Sequence, residues 1–161
     1  MSSANDSNTD GVQKNIEPKK IEEFKAGFRG SVLPAGKHGY DQARTIWNSM
    51  FDRKPAVIAR CVGTSDVIKA VNFARANDLE ISVKGGGHNS AGTAVCDDGL
   101  MIDLSLMRRV TVNRQAKTAR VDGGCLLGDV DYETQLHGLA VSAGIVSHTG
   151  VGGLALGGGF G

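Results

Sequence analysis

The sequence predicts an α+β fold: a βαβ unit followed by short, meandering strands. Three observations carry this. A β-branched run at Val57-Ile58-Ala59-Arg60-Cys61-Val62 is followed by apolar residues at helical spacing, then by a second run at Ile81-Ser82-Val83. Beyond that second run the apolar segments become short and are divided by turns. Glycine, 23 of 161 residues, is clustered rather than spread, which marks backbone that turns tightly or approaches something closely.

Residues 1–20 are polar and without apolar periodicity, and are expected to form a disordered tail. Residues 21–54 read as an N-terminal helical segment. Ile21–Arg29 is one short helix; Ala43, Ile46, Trp47 and Met50 place a second over Asp41–Met50 with one buried face. The strand after Pro55 is turned by Gly63. Thr64 or Ser65 then caps a helix whose first turn holds Asp66, where the helix dipole favours an acid. Val67, Ala70, Val71 and Ala74 give its buried stripe, and Asn77-Asp78 ends it. The two flanking strands are expected to be parallel. Next come strands at Leu100–Leu104, Val110–Asn113 and Thr118–Val121, the last two a hairpin around 114–117. A helix is expected over Leu126–His137 with Gly138 at its C′ position, followed by a strand at Leu139–Val141.

Charge is nearly balanced, 18 Lys+Arg against 17 Asp+Glu, so no strong field favours nucleic acid or an anionic membrane. No apolar stretch is long enough to span a membrane. Three widely spaced cysteines, Cys61, Cys96 and Cys125, fit a reducing compartment, and a cytoplasmic location is expected. No Cys-x-x-Cys or comparable spacing points to a metal. The chain stops inside a glycine run, so a longer protein is expected.

Lys84-Gly85-Gly86-Gly87-His88-Asn89 follows directly on a strand. Consecutive glycines expose amide N–H groups that can cradle a phosphate, and a tight turn without a ligand is the alternative. Gly87 to Thr93 lacks the lysine of a P-loop. Gly150-Val-Gly-Gly-Leu-Ala155 meets the G-x-G-x-x-G/A pattern of nicotinamide-binding enzymes, a third reading of the chain. His88 is either an ordinary polar loop residue or, as a neutral imidazole, a nucleophile.

Several segments in order resemble the FAD-linked oxidases of the vanillyl-alcohol-oxidase/p-cresol-methylhydroxylase (PCMH) type, in their berberine-bridge-enzyme-like branch. They are 44–48 (RTIWN), 53–61 (RKPAVIARC), 83–89 (VKGGGHN), 100–105 (LMIDLS), 121–124 (VDGG) and 149–161 (TGVGGLALGGGFG), within residues 40–161. The resemblance implies that 55–161 is an incomplete PCMH-type FAD-binding domain, with its βαβ subdomain followed by the start of a second, strand-rich one. It implies an oxidoreductase that passes a hydride from a small organic substrate to flavin, with O2 as acceptor. A non-catalytic fragment is the competing reading. By similarity, Lys84, Gly85, Gly86, Gly87, His88 and Asn89 form the pyrophosphate loop, continued by Ser90 and Gly92, and His88 bonds the flavin 8α carbon. Thr149, Gly150, Gly152, Gly153 and Gly157 form a second loop along the flavin. Two departures stand out. Val146 occupies the position where doubly attached members carry a second anchoring cysteine, and Lys84 stands where arginine is common, without its two-pronged donor. The resemblance places the catalytic base and substrate domain beyond this stretch.

Among other residues, His137 reads as a helix C-terminal residue; His148 lies just before the second loop, where facing the flavin is the lesser of its readings. Cys61 reads as core, Asp103 as a hydrogen-bond acceptor at a turn, and Arg108-Arg109 as a solvated pair.

Overall fold

The computed structural model describes residues 16–159. The part of the expected tail at 1–15, and Phe160 and Gly161, lie outside the described residues. The elements are α1 (Pro18–Ala26), β1 (Ser31–Pro34), α2 (Tyr40–Arg44), β2 (Val57–Arg60), α3 (Thr64–Ala76), β3 (Ile81–Lys84), β4 (Leu100–Asp103), β5 (Val110–Asn113), β6 (Thr118–Val121), α4 (Leu127–Gln135) and α5 (Val151–Gly157). The fold is α+β, as the sequence predicts.

Four strands form one sheet in the order β1-β2-β4-β3. The two strands of the βαβ unit are parallel but not adjacent, because β4 lies between them and pairs in parallel with both. All four β4 residues are buried, as a strand sheathed on both faces requires. Alternation sorts the side chains. Val57, Ala59, Cys61, Leu100 and Ile102 pack with Phe24 of α1 and Ala70 and Ala74 of α3. Ile58 and Met101 point the other way, against Tyr40, Ala43, Ile46 and Val95. Burial pushes the Cys61 thiol up to about 12, with Asp66 and Asp103 adding to it. The expected core role of Cys61 is thus observed.

Asp66 ties the sheet to its N-terminal flank. Fully buried, it accepts hydrogen bonds from the amides of Arg29 (3.0 Å), Gly30 (3.2 Å) and Val62 (3.1 Å). Beyond favouring the helix dipole, the carboxylate closes α1 and β1 onto β2.

Several expectations are corrected. The 21–54 segment is not purely helical: β1 pairs antiparallel with β2 at the sheet edge. Only Val32 of β1 is buried, too short an apolar signal to read, and Pro34 is tolerated because the strand is an edge. The first helix starts at Pro18, inside the expected tail, with proline at its start where the missing N–H costs nothing. The second helix ends at Arg44, so Trp47 and Met50 are 67% and 89% exposed rather than buried. Gly63, not Thr64 or Ser65, is the N-cap of α3. The α4 helix is shorter than expected, and Gly138, at φ 65°, lies two residues past its C-cap Leu136 rather than one. No strand forms at Leu139–Val141, which has no pairing partner among the described residues.

β5 and β6 form the expected hairpin, and α4 packs against it. Arg108 is not simply solvated: its guanidinium forks onto Asp129, with Nε to Oδ2 at 2.8 Å. Asp129 in turn accepts from the Leu126 amide at 2.7 Å, which fixes the start of α4.

Candidate functional site

β3 delivers the triple glycine to the sheet end, and the 147–150 segment arrives beside it. The second segment is held by backbone bonds to the start of α4: Leu127 N–H to Thr149 O at 2.9 Å, Gly128 N–H to Ser147 O at 2.8 Å, and Val151 N–H to Cys125 O at 2.9 Å. Here the two loops touch. A methyl group built on Gly86 would collide with the amide nitrogen of Gly150 and lie 2.6 Å from its Cα. One built on Gly150 would lie 2.9 Å from the Cα of Gly86. No side chain fits at either position.

Between the loops runs a cleft of about 440 Å³. Gly85, Gly86, Gly87, His88, Asn89, Ser90, Thr149, Gly150, Gly153 and Gly157 all line it, so the structure gathers most of the sequence-predicted site residues on one surface. Among the described residues, the amide N–H groups of Gly86, Gly87 and His88 donate to no protein acceptor. Amides without a protein acceptor on a glycine-rich wall suit an anionic, phosphate-bearing ligand.

Three predicted residues are not on the cleft wall. Lys84 alternates away from it and donates through Nζ to the carbonyl of Ala43 in α2, and burial lowers its pKa. Gly92, at φ +69°, packs against the Phe51 ring, where any side chain would clash. Gly152 lies 2.9 Å, by its absent methyl, from the Gly123 carbonyl. The second loop is also more ordered than a loop: Gly152, Gly153 and Gly157 belong to α5, a helix of 7 residues.

His88 lines the cleft and is half-buried. Its Nε2 is 2.6 Å from Nδ1 of His148. The Trp47 ring stacks on it at 4.9 Å between centroids and 11° between planes. Trp47 also contacts His148, at 4.8 Å. Its place is set by its own N–H, which donates to the Gly87 carbonyl at 3.0 Å, and by Asn48, whose side chain donates to Ser90 O at 2.8 Å. Burial first, and His148 second, hold the His88 pKa below its ordinary 6.5. Both effects disfavour the charged imidazolium.

Sequence reasoning placed Trp47 in the core and missed its part in the site. The signal that marks it is its place in the 44–48 segment, which the helical periodicity obscures. Gly123 enters the sequence analysis only within the 121–124 segment; its carbonyl packs against both loops, at Gly85 and at Gly152.

An FAD binding domain model matches residues 55–161, which contain both loops, the cleft and His88.

The chain belongs to the FAD binding domain family.

Its relatives are consistent with this. An FAD-linked oxidoreductase of Dictyostelium discoideum is 41% identical over 142 residues, covering 88% of this chain and 31% of that protein. The crystal structure of 6-hydroxy-D-nicotine oxidase from Arthrobacter nicotinovorans matches at a TM-score of 0.82 and 40% identity, over 83% of this chain and 30% of that one. A berberine-bridge-enzyme-like protein of Physcomitrella patens, variant D396N, matches at 0.80 and 27% identity, over 88% and 31%. The chain thus spans about 30% of the length of these proteins. The FAD binding domain assignment removes the nicotinamide reading. Gly150 itself makes an isolated antiparallel bridge to Leu126 and does not follow the parallel strand from which such a loop springs.

The residues present fit FAD. The paired glycine loops leave a cradle that a single Cβ at Gly86 or Gly150 would disrupt, and the adjoining amides can face a pyrophosphate.

Proposed function

We propose that this chain is the FAD-holding part of an oxidoreductase that oxidises a small organic substrate with O2 as acceptor, and that FAD is bonded covalently to His88. The observation that carries this is the cleft between two touching glycine loops, lined by a ring-stacked imidazole.

FAD held there would supply the hydride acceptor for the substrate and the route of its electrons to oxygen. This chain's residues position that group. Gly86, Gly87 and His88 offer amides to the pyrophosphate, and Gly85, Asn89 and Ser90 line the same wall. Thr149, Gly150, Gly153 and Gly157 form the opposite wall. Lys84, Gly92 and Gly152 shape the loops from behind. With valine at position 146, one covalent bond is expected, not two. Relatives named as (R)-6-hydroxynicotine oxidase and glucooligosaccharide oxidase support an organic small-molecule substrate. The three free, buried thiols support a reducing, cytoplasmic setting.

The test is a peptide map of the protein as its gene encodes it, with yellow colour followed through acid precipitation. Flavin is expected on the His88 peptide, and His88→Ala is expected to hold FAD only non-covalently. Acid-stable flavin in His88→Ala would sink the anchor assignment.

A further inference from the structure

Of the polar groups around His88, one has no role yet. The Nδ1 of His148 lies 2.6 Å from the His88 Nε2, and among the described residues it is the sole side-chain hydrogen-bond partner of that ring. We infer that His148 is a positioning base for flavin attachment: it accepts the proton of His88 Nε2, leaves His88 Nδ1 as the nucleophile, and takes up that proton as the bond forms. This rests on His88 being the flavin anchor.

The geometry carries the inference in three ways. Two imidazoles joined nitrogen to nitrogen share one proton, so one ring donates and the other accepts. If His148 donated, the other His88 nitrogen would carry the ring's own proton and no lone pair would face outward. Only donation by His88 Nε2 leaves Nδ1 free to react, and the partner of one ring nitrogen decides the chemistry of the other. Second, the His148 ring is placed by rigid backbone. Thr149 N–H closes onto Val146 O at 3.0 Å, and the flanking carbonyls of Ser147 and Thr149 are bonded to α4. Trp47 contacts both rings and limits their rotation. Third, His148 is exposed while His88 is half-buried, so His148 can pass a proton on to water.

The step balances as follows. A bond forms between His88 Nδ1 and the carbon of the flavin 8α-methyl. One C–H bond of that methyl breaks; its proton goes to solvent and its electron pair stays on the isoalloxazine ring. The Nε2 proton of His88 passes to His148. Dioxygen, the two-electron acceptor, then takes the pair with two protons as hydrogen peroxide.

The experiment uses the protein as its gene encodes it, expressed under riboflavin limitation and mixed with FAD. Acid-stable flavin is read over time as fluorescence in a denaturing gel, beside non-covalent FAD affinity. In His148→Ala the affinity is expected to be retained, attachment to slow at least tenfold, and free imidazole in the buffer to restore it in a dose-dependent way. His148→Gln, which accepts a hydrogen bond but not a proton, is expected to stay slow. Attachment at the native rate in His148→Ala, slow attachment that imidazole does not restore, or loss of FAD affinity in both variants would each overturn the role of His148. If native protein still carries flavin on His88 in those cases, the anchor reading stands alone. Acid-stable flavin in His88→Ala, or none in native protein, would overturn the anchor reading and this inference with it.

Discussion

Gly86 and Gly150 meet backbone to backbone, close enough that neither tolerates a Cβ. They are far apart in sequence, one after β3 and one before α5. Their contact draws the two loops into one cleft.

Gly86→Ala is therefore expected to force the loops apart. Overpacking of this kind costs about 1–3 kcal/mol, and FAD affinity should fall at least tenfold. Thermal melts and FAD titration check this. Gly153→Ala is the contrast: it lies in α5 with nothing within 4 Å of an added methyl. Alanine there should leave stability unchanged or raise it by about 0.5–1 kcal/mol. Equal losses in both variants would refute the contact as the reason for Gly86.

Asp66 accepts from three backbone amides in the core. Asp66→Ala leaves those donors unsatisfied, at roughly 1–3 kcal/mol each before relaxation. A net loss of about 3 kcal/mol or more is expected in urea unfolding, with no change at the cleft itself. A loss under about 1 kcal/mol would mean the carboxylate does not hold the N-terminal flank to the sheet.

His88 is predicted to titrate below 6.5 in the FAD-free protein, because burial and then His148 disfavour its charged form. The unfolded chain binds this proton more readily, so folded-state stability is full above 6.5 and declines as pH falls through the lowered value. NMR of the imidazole gives the midpoint. In His148→Gln the midpoint should move up only part of the way, since burial remains. A midpoint above 6.5 in the native protein would contradict the environment described for this ring.

Trp47 is the only tryptophan in the sequence, and its ring stacks on His88. FAD entering the cleft should quench its fluorescence, and Gly86→Ala should weaken that response. Trp47→Ala, at a residue 67% exposed, should change stability by no more than about 0.5 kcal/mol. Unchanged fluorescence on saturation with FAD would place the cofactor elsewhere.

Much of the fold was legible because period is a local property. Strand runs at 57–60 and 81–84 and the helix over 64–76 announce themselves within their own windows. β1 was illegible because one buried valine makes no pattern, and pairing with β2 alone makes it a strand. The helix predicted through Met50 failed for the converse reason: its periodicity was present, but the chain leaves helical geometry after Arg44 to carry Trp47 across the glycine loop.

For the site, the residue types and their order in the chain were enough to name two glycine loops and one histidine. What the order could not express was which atoms share a surface. Lys84 looked like a cleft cation and instead reaches Ala43, because alternation along β3 turns it to the other face. His88 and His148 are sixty residues apart and become partners only when the 147–150 segment is bonded to α4 and laid beside the triple glycine. The sequence by itself determined the local conformations and the chemical inventory, since both depend on neighbouring residues. The cleft, the approach of Gly86 to Gly150 and the pairing of the two imidazoles depend on long-range packing, and the tertiary structure alone decided them.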